Sequence, residues 1–515
     1  MDAIPRLARS VALFALLLSP TRGQAAPRPA ELDDPSLCLA SGFTDDLSPY
    51  LQRLDIGASP YGKKSAFPLF MPLFSSHVLG GPAAVADPAV TTAAIFLHGL
   101  SAAANSYFCT GMAASRGRSA VVVAPWHGDE QVNSSYWRRT GETAATGLAY
   151  SAYWTSSRWL TGGNVSPGNL TDAAQYTTSF DIADQLVRNL TSSGLFPNLK
   201  QVSFIGFSAG SQFTSRWVFG SSVGDPALTG SASPSNGVPV RHFISDPGTF
   251  LYLDASRPAP ECRPLRDSGA GAAPCTTFAE PAPAEVAACA TTWNAYKFGI
   301  DGGFSNLNAY MARYDTNATL KAEALARFAR KDLALIFGDS DACNCNAANY
   351  SNSAYCFPAG GSLVCAPDDF GGAGCCDTWP DATDHNAMDA GCEAMVQGSN
   401  RLQRGLLYTQ HLNRVFPSRA AGRYVAYTVA GMGHNNSGLY ASAPFNALAF
   451  YTPATPPGSS NQASGALLSA EINGTLGGLT ALAAVVVAVG ILRLRSRKSA
   501  AALEDEEARR PLTSR

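Results

Sequence analysis

Six short apolar runs recur along this chain, and the stretches between several of them read as helices. The runs are TTAAIFLHG (Thr91–Gly99), SAVVVAPW (Ser119–Trp126), QVSFIGF (Gln201–Phe207), RHFISD (Arg241–Asp246), DLALIFGD (Asp332–Asp339) and RYVAYTVAG (Arg423–Gly431). Most are apolar almost without interruption. A strand with one wet face alternates; an unbroken run is covered on both faces, the state of a parallel sheet between helix layers. Helices are predicted over Phe180–Leu190, Gly210–Phe219, Leu320–Arg330 and Leu402–Phe416. Strand and helix in alternation predict an α/β architecture, mostly parallel, with helices on both faces. Of the 515 residues, 46% are hydrophobic, which is ample for one large core. No internal repeat interrupts this pattern.

The two ends read differently. Residues 1–25 carry Arg6 and Arg9, an apolar run from Val11 to Leu18 and then small residues, the layout of a secretory signal peptide. That run falls short of the roughly 20 residues that span a bilayer. Residues 472–492 hold no charge and have the length of one crossing, and Arg493, Arg495, Arg497 and Lys498 follow at once. Positive charge stays inside, so 493–515 is expected to be a cytoplasmic tail and the ectodomain, 26–451, to lie outside or in a lumen. A continuing charged tail argues against a lipid-anchor signal. Residues 452–471, rich in Pro, Ser and Gly, read as a stalk. The expected location is the cell surface or a secretory-pathway membrane.

All twelve cysteines fall between Cys38 and Cys392. An even count in a secreted region predicts disulfides. Seven of them lie between Cys343 and Cys392, so full pairing requires at least one bridge out of that segment. A zinc site using Cys343, Cys345, Cys375, Cys376 and His385 is the alternative, although the spacing matches no common zinc pattern. Eight Asn-x-Ser/Thr sequons, at Asn133, Asn164, Asn169, Asn189, Asn317, Asn349, Asn435 and Asn473, suit a glycosylated ectodomain. Charged residues make up 15% with a net charge of −2, and no basic stripe precedes the C-terminus, so nucleic acid is not an expected partner.

Three spacers exceed what a connection needs: 128–179, rich in Trp and Tyr, 247–331, and the cysteine-rich 342–392. Long insertions in compact domains tend to be lids or binding loops. Trp126, Trp137, Trp154 and Trp159 surround or lie in the first, where they either line a site for acyl chains or sugar rings or pack the insertion onto the domain.

Ser208 is the candidate nucleophile. Gly-Phe-Ser-Ala-Gly (206–210) lies between the run ending at Phe207 and a helical stretch, the context that a serine on a strained strand-to-helix turn requires. A second match, Gly220 to Gly224, follows a helix and runs into a loop, so Ser222 reads as a helix-end residue. Small neighbours at Gly206 and Gly210 relieve crowding, and the following helix aims its first amides where an oxyanion would form. The Ala209 N–H is one donor. The loop after His98-Gly99 offers a second at Leu100, with Ser101 next, and His98 itself is expected to serve loop structure.

A serine hydroxyl needs a base, and the base needs an orienting acid. After Ser208 come His242 in a strand candidate, His385 in the cysteine-rich insertion, His411 in a helix candidate, and His434 in a loop past the last strand. His434 can return to the serine. For the acid, Asp339 and Asp341 follow an apolar strand, where Gly-x-x-Asp is the commoner arrangement and favours Asp341. Asp246 is an outside candidate.

The pieces IFLHG, GFSAG, GDSD and GMGH, in that order and spacing, resemble the α/β-hydrolase superfamily, and TTSFDIADQLVRNL, FPNLKQVSFIGFSAGSQFTSRW and VQGSNRLQRGLLYTQHLNRVF resemble a group of its secreted members. The likeness covers roughly 91–448. It implies an α/β-hydrolase fold with lid-like insertions, a Ser208–Asp341–His434 triad and oxyanion amides at Ala209 and Leu100. It also implies a serine hydrolase of small-molecule, lipid or glycan esters that needs no cofactor or metal. A peptidase on the same fold and a silent adhesion ectodomain are the other readings.

Overall fold

The computed structural model describes residues 47–56, 69–128, 151–165, 177–229, 233–262, 275, 277–289, 292–302, 310, 320–339, 341, 391–398, 400–419 and 421–452. The expected signal peptide, stalk, membrane span and tail lie outside them, as do Trp137, His385 and the rest of the proposed zinc set. Among the described residues no helix is long and apolar enough to cross a membrane.

In chain order the strands are β1 (Leu51–Ile56), β2 (Leu69–Ser75), β3 (Thr92–Leu97), β4 (Ala120–Pro125), β5 (Gln201–Phe207), β6 (Val240–Ser245), β7 (Arg257–Pro258), β8 (Phe278–Ala279), β9 (Asp332–Gly338) and β10 (Ala426–Val429). The helices are α1 (Ala104–Ala114), α2 (Ser179–Ser192), α3 (Ala209–Gly220), α4 (Leu320–Arg330), α5 (Cys392–Met395), α6 (Arg401–Val415), α7 (Asn436–Ala441) and α8 (Ala443–Ala449). Eight strands form one sheet in the order β1-β2-β4-β3-β5-β6-β9-β10; β7 and β8 form a separate pair. From β4 to β10 every pairing is parallel, and β1 and β2 add an antiparallel edge. This order, with a sharp turn between β5 and α3, is the α/β-hydrolase fold.

Side chains on a strand alternate between faces. On β3, Ala93, Ile95 and Leu97 enter one core cluster with Leu186 of α2, Phe213 and Trp217 of α3 and Leu412 of α6. Ala94 and Phe96 enter the other, with Phe108 of α1, Tyr440 of α7 and Phe445 of α8. Both faces are therefore dry, which is why the strand sequences show no polar alternation.

The expected central strands and the four expected helices are present, with ends moved by a residue or a few. Several elements were not expected, among them β1, β2 and α1. On the β1 edge, the residues Leu51 to Arg53 are half-buried and Asp55 is exposed, so no apolar run marks it. In β2 Pro72 interrupts the run, and a proline inside a strand argues against one; here its carbonyl accepts the Trp126 N–H at 2.8 Å. The third, α1, is small and uneven in sequence, with Gly111 in its middle.

The insertions that are described are packed rather than free. Trp126, Trp154 and Trp159 are all buried, and the Trp154 indole donates to the Gly163 carbonyl at 2.9 Å. Their surroundings favour packing over ligand binding. In the second insertion Phe250 stacks on Tyr408 of α6, ring centroids 4.3 Å apart. Disulfides join Cys262 to Cys275 and Cys289 to Cys392, so the cysteine-rich segment does bridge outside itself. Cys109 is also disulfide-bonded.

Candidate functional site

Ser208 sits between β5 and α3 with φ 55° and ψ −118°, a left-handed conformation that costs a non-glycine residue about 1–3 kcal/mol. The neighbours hold it there. Its N–H donates to the Ser245 carbonyl at 2.9 Å, and Ser211 bonds both the N–H and the C=O of Ser245, which staples the turn to the end of β6. A Cβ on Gly206 would stand 2.5 Å from the Gly210 carbonyl oxygen, and one on Gly210 would run into the carbonyls of Leu97 and His98. The turn closes only because both positions lack a side chain. The second match to the pattern does end a helix: α3 stops at Gly220, and Ser222 is buried beyond it.

Three side chains from distant loops meet at this turn. His434, in the loop after β10, places Nε2 2.9 Å from Ser208 Oγ and Nδ1 2.6 Å from Asp341 Oδ2. With Nδ1–H donating to the carboxylate, Nε2 is left to accept from the serine hydroxyl. The Phe207 ring packs on the imidazole, centroids 4.7 Å apart, and His434 is buried. Asp339 goes elsewhere: its Oδ1 accepts the Gly431 N–H at 2.7 Å and caps the turn before His434.

Asp341 is held at several points. Its N–H bonds the Gly338 carbonyl, and its own carbonyl accepts from Leu402 N at 3.1 Å. Its Oδ1 accepts from Arg401 Nη1 at 3.2 Å, and both side chains are almost wholly buried. Burial alone would raise its pKa, but the charges and hydrogen bonds of His434 and Arg401 outweigh that and lower it. Asn400 caps α6 by accepting from Gln403 N, so the helix delivers Arg401 and the Leu402 amide together. Nothing near Asp341 in sequence points to Arg401, 60 residues away.

Of the two expected oxyanion donors, Ala209 adjoins the serine in sequence and Leu100 follows Gly99. Gly99 lies against Ser208: a Cβ there would be 3.7 Å from Ser208 Cβ. The Gly99 carbonyl accepts from Ala102 N and from His98 Nδ1 at 2.8 Å. In a trans peptide the N–H opposes the C=O, so pinning the Gly99 oxygen sets the direction of the Leu100 N–H. Among the described residues neither Leu100 N–H nor Ala209 N–H enters a backbone hydrogen bond. His98 accepts the His127 N–H on Nε2 at 2.9 Å, which assigns its proton to Nδ1, and burial lowers its pKa to about 4. A neutral His98 thus ties the ends of β3 and β4. His242 and His411, the other described histidines that follow Ser208, are buried in the sheet and α6, each with its pKa lowered by burial to about 3.

No family model matches the chain, and no curated protein matches it. Several solved structures do. A poly(3-hydroxybutyrate) depolymerase from Bordetella parapertussis is 15% identical over 72% of this chain and 83% of its own, with a TM-score of 0.37. Poly(aspartic acid) hydrolase-1 from Sphingomonas sp. KT-1 is 15% identical over 76% and 95%, at 0.35. A siderophore hydrolase from Aspergillus nidulans is 11% identical over 78% and 92%, at 0.30. The fold assignment rests on the sheet order and the turn at Ser208.

Proposed function

We propose that this protein is a serine hydrolase that cleaves carboxylic esters through an acyl-enzyme. The observation that carries the reading is the continuous hydrogen-bond chain from Ser208 Oγ through His434 to Asp341. His434 Nε2 takes the proton from Ser208 as its oxygen attacks the acyl carbon. The tetrahedral oxyanion is received by the N–H groups of Ala209 and Leu100. His434 then returns the proton to the leaving alcohol, and a water, deprotonated by the same nitrogen, releases the acid. Asp341 fixes the imidazole tautomer and stabilises the imidazolium, and no step calls on a metal or organic cofactor.

The protein is further proposed to work outside the cytoplasm, tethered by residues 472–492. The signal-like start and the arginines after Ile491 support this, and so do the bridges Cys262–Cys275 and Cys289–Cys392, which suit an oxidising compartment.

The test is a fluorophosphonate probe on the full chain beside Ser208→Ala, with ester and peptide substrates run in parallel. Parent-only labelling and ester turnover are expected, with hydrolysis falling at least about 10⁴-fold in the variant. Equal labelling of the variant removes Ser208 from the mechanism, and a preference for peptides replaces the ester reading.

A further inference from the structure

A second carboxyl shares the buried end of the site. Asp246 follows β6 as Asp341 follows β9, and the two strands are paired neighbours, with Ser245 opposite Ile336. It is fully buried and held at φ 48°, a conformation that needs a compensating contact. The contact is the Gly338 N–H, 3.1 and 3.3 Å from its two oxygens. Gly338 also accepts the Asp341 N–H, so Asp246 grips the turn that delivers Asp341. A carboxylate oxygen from each of Asp246 and Asp341 and a ring nitrogen of His434 all lie within 4.8 Å of one another.

An asparagine would accept the Gly338 amide equally well and without like-charge repulsion. An acid beside another acid therefore calls for a reason other than that bond. The groups facing Asp246 are Asp341 from the loop after β9, His434 from the loop after β10, Arg401 from α6 and Tyr440 from α7. Burial first, and then the Asp341 charge, push the Asp246 carboxyl well above the usual range, while the Gly338 amide and Arg401 pull the other way. Two neighbouring carboxyls are thus pushed in opposite directions, a pattern that separates roles between acids.

We propose that Asp246 is a second acid of the site, a positioning residue that holds the Asp341 turn through Gly338 and takes over the orientation of His434 when Asp341 is removed. This rests on the hydrolytic reading above. Removing Asp341 with alanine takes away the like charge and frees Arg401. Both changes favour loss of the Asp246 proton to solvent, leaving a carboxylate beside His434. Asp341→Asn should behave worse, because an amide at that place can donate to Nδ1 and hold the wrong tautomer.

The experiment compares parent, Asp246→Asn, Asp341→Ala, Asp341→Asn and the Asp341→Ala/Asp246→Asn pair as full chains. It reads kcat/KM for p-nitrophenyl butyrate against pH, and the infrared carbonyl band of a buried protonated acid. Asp341→Ala is expected to lose about 10- to 100-fold and Asp341→Asn about 10⁴-fold. The acid limb of Asp341→Ala should move to higher pH, because the carboxyl now in charge is the one that binds its proton more tightly. Asp246→Asn should cost at least about tenfold more in the Asp341→Ala background than in the parent, since the two acids act as a unit. The infrared band should be present in the parent, absent from Asp246→Asn, and replaced by a carboxylate band in Asp341→Ala. Equal fold-losses in both backgrounds, or a band unmoved by Asp341→Ala, overturn the proposal. A parent that turns over no ester while the bands shift as expected removes the hydrolytic reading and leaves the carboxyl exchange standing.

Discussion

Ser208 and Asp341 reach the same imidazole by different routes. The serine is positioned by a contiguous stretch: β5, a strained residue flanked by two glycines, and the first turn of α3. The acid is positioned from afar, by Gly338 on its own strand, Arg401 and the Leu402 amide on α6, and Asp246 after β6 behind the turn. A local device fails when its steric rule is broken. An assembled device fails by degrees, as each support is withdrawn.

The largest expected effect therefore lies on the serine side. Gly210→Ala puts a methyl against the Leu97 and His98 carbonyls, which cannot retreat without separating the loop after β3 from the turn. Overpacking of this kind costs about 1–3 kcal/mol of stability, and ester turnover should fall at least about 100-fold, because a displacement near 1 Å can cost that much. Thermal melts and steady-state assays measure both, and a well-folded, fully active variant would break the contrast.

On the acid side, Arg401→Met should act through pH. Arg401 helps to lower the Asp341 pKa. Without it that pKa rises, so the carboxylate is lost as pH falls through a higher value, and the acid limb of the rate profile shifts upward by about one unit. Activity at about pH 8 should be within about tenfold of the parent, since the carboxylate is again charged there. Breaking a buried pair also costs about 3–5 kcal/mol of stability, so the melting temperature must be followed alongside. An unshifted profile would mean that Arg401 only packs.

Acid should loosen both sides together. His98 braces the loop after β3, and His411, on α6, accepts the Leu253 N–H at 3.1 Å. Folded, they titrate at about 4 and about 3; unfolded, near 6.5. Between those limits the unfolded chain binds the extra protons. The stability they confer is complete above pH 6.5 and declines as pH falls, by about 1.4 kcal/mol per histidine per pH unit. Melts from about pH 7.5 to 5 should show a steep fall, and His411→Gln should flatten it.

The smallest effect should come from Asp339→Asn. An amide oxygen still accepts the Gly431 N–H, so kcat/KM should stay within about twofold. A large loss would return Asp339 to contention.

The same contrast explains what could be read from the chain alone. β3, β5, β6 and β9 announce themselves because both faces are covered, and the turn at Ser208 is spelled out in the five residues Gly206 to Gly210 between a strand and a helix. His434 follows by elimination, as the one later histidine in a loop past the last strand. The choice between Asp339 and Asp341 turns on two residues of a single loop, and only the tertiary arrangement separates turn cap from histidine partner. Arg401 leaves no local trace, because its meaning depends on α6 docking against a loop 60 residues earlier in the chain. β1 and β2 escape for the opposite reason: one is half-wet and the other broken by Pro72, so neither carries the apolar signature of the interior.

The fastening of Asp341 to the first turn of α6 has a further implication for how such a chain can change. Residues 342–390 emerge directly after the acid, a place where a long graft would ordinarily drag a functional group out of line. Here the chain re-enters at α5, and α6 then grips Asp341 by side chain and main chain together. The acid is bracketed by fixed points on both sides of that stretch, so the length and composition of the sequence between can drift with little penalty to the position of Asp341.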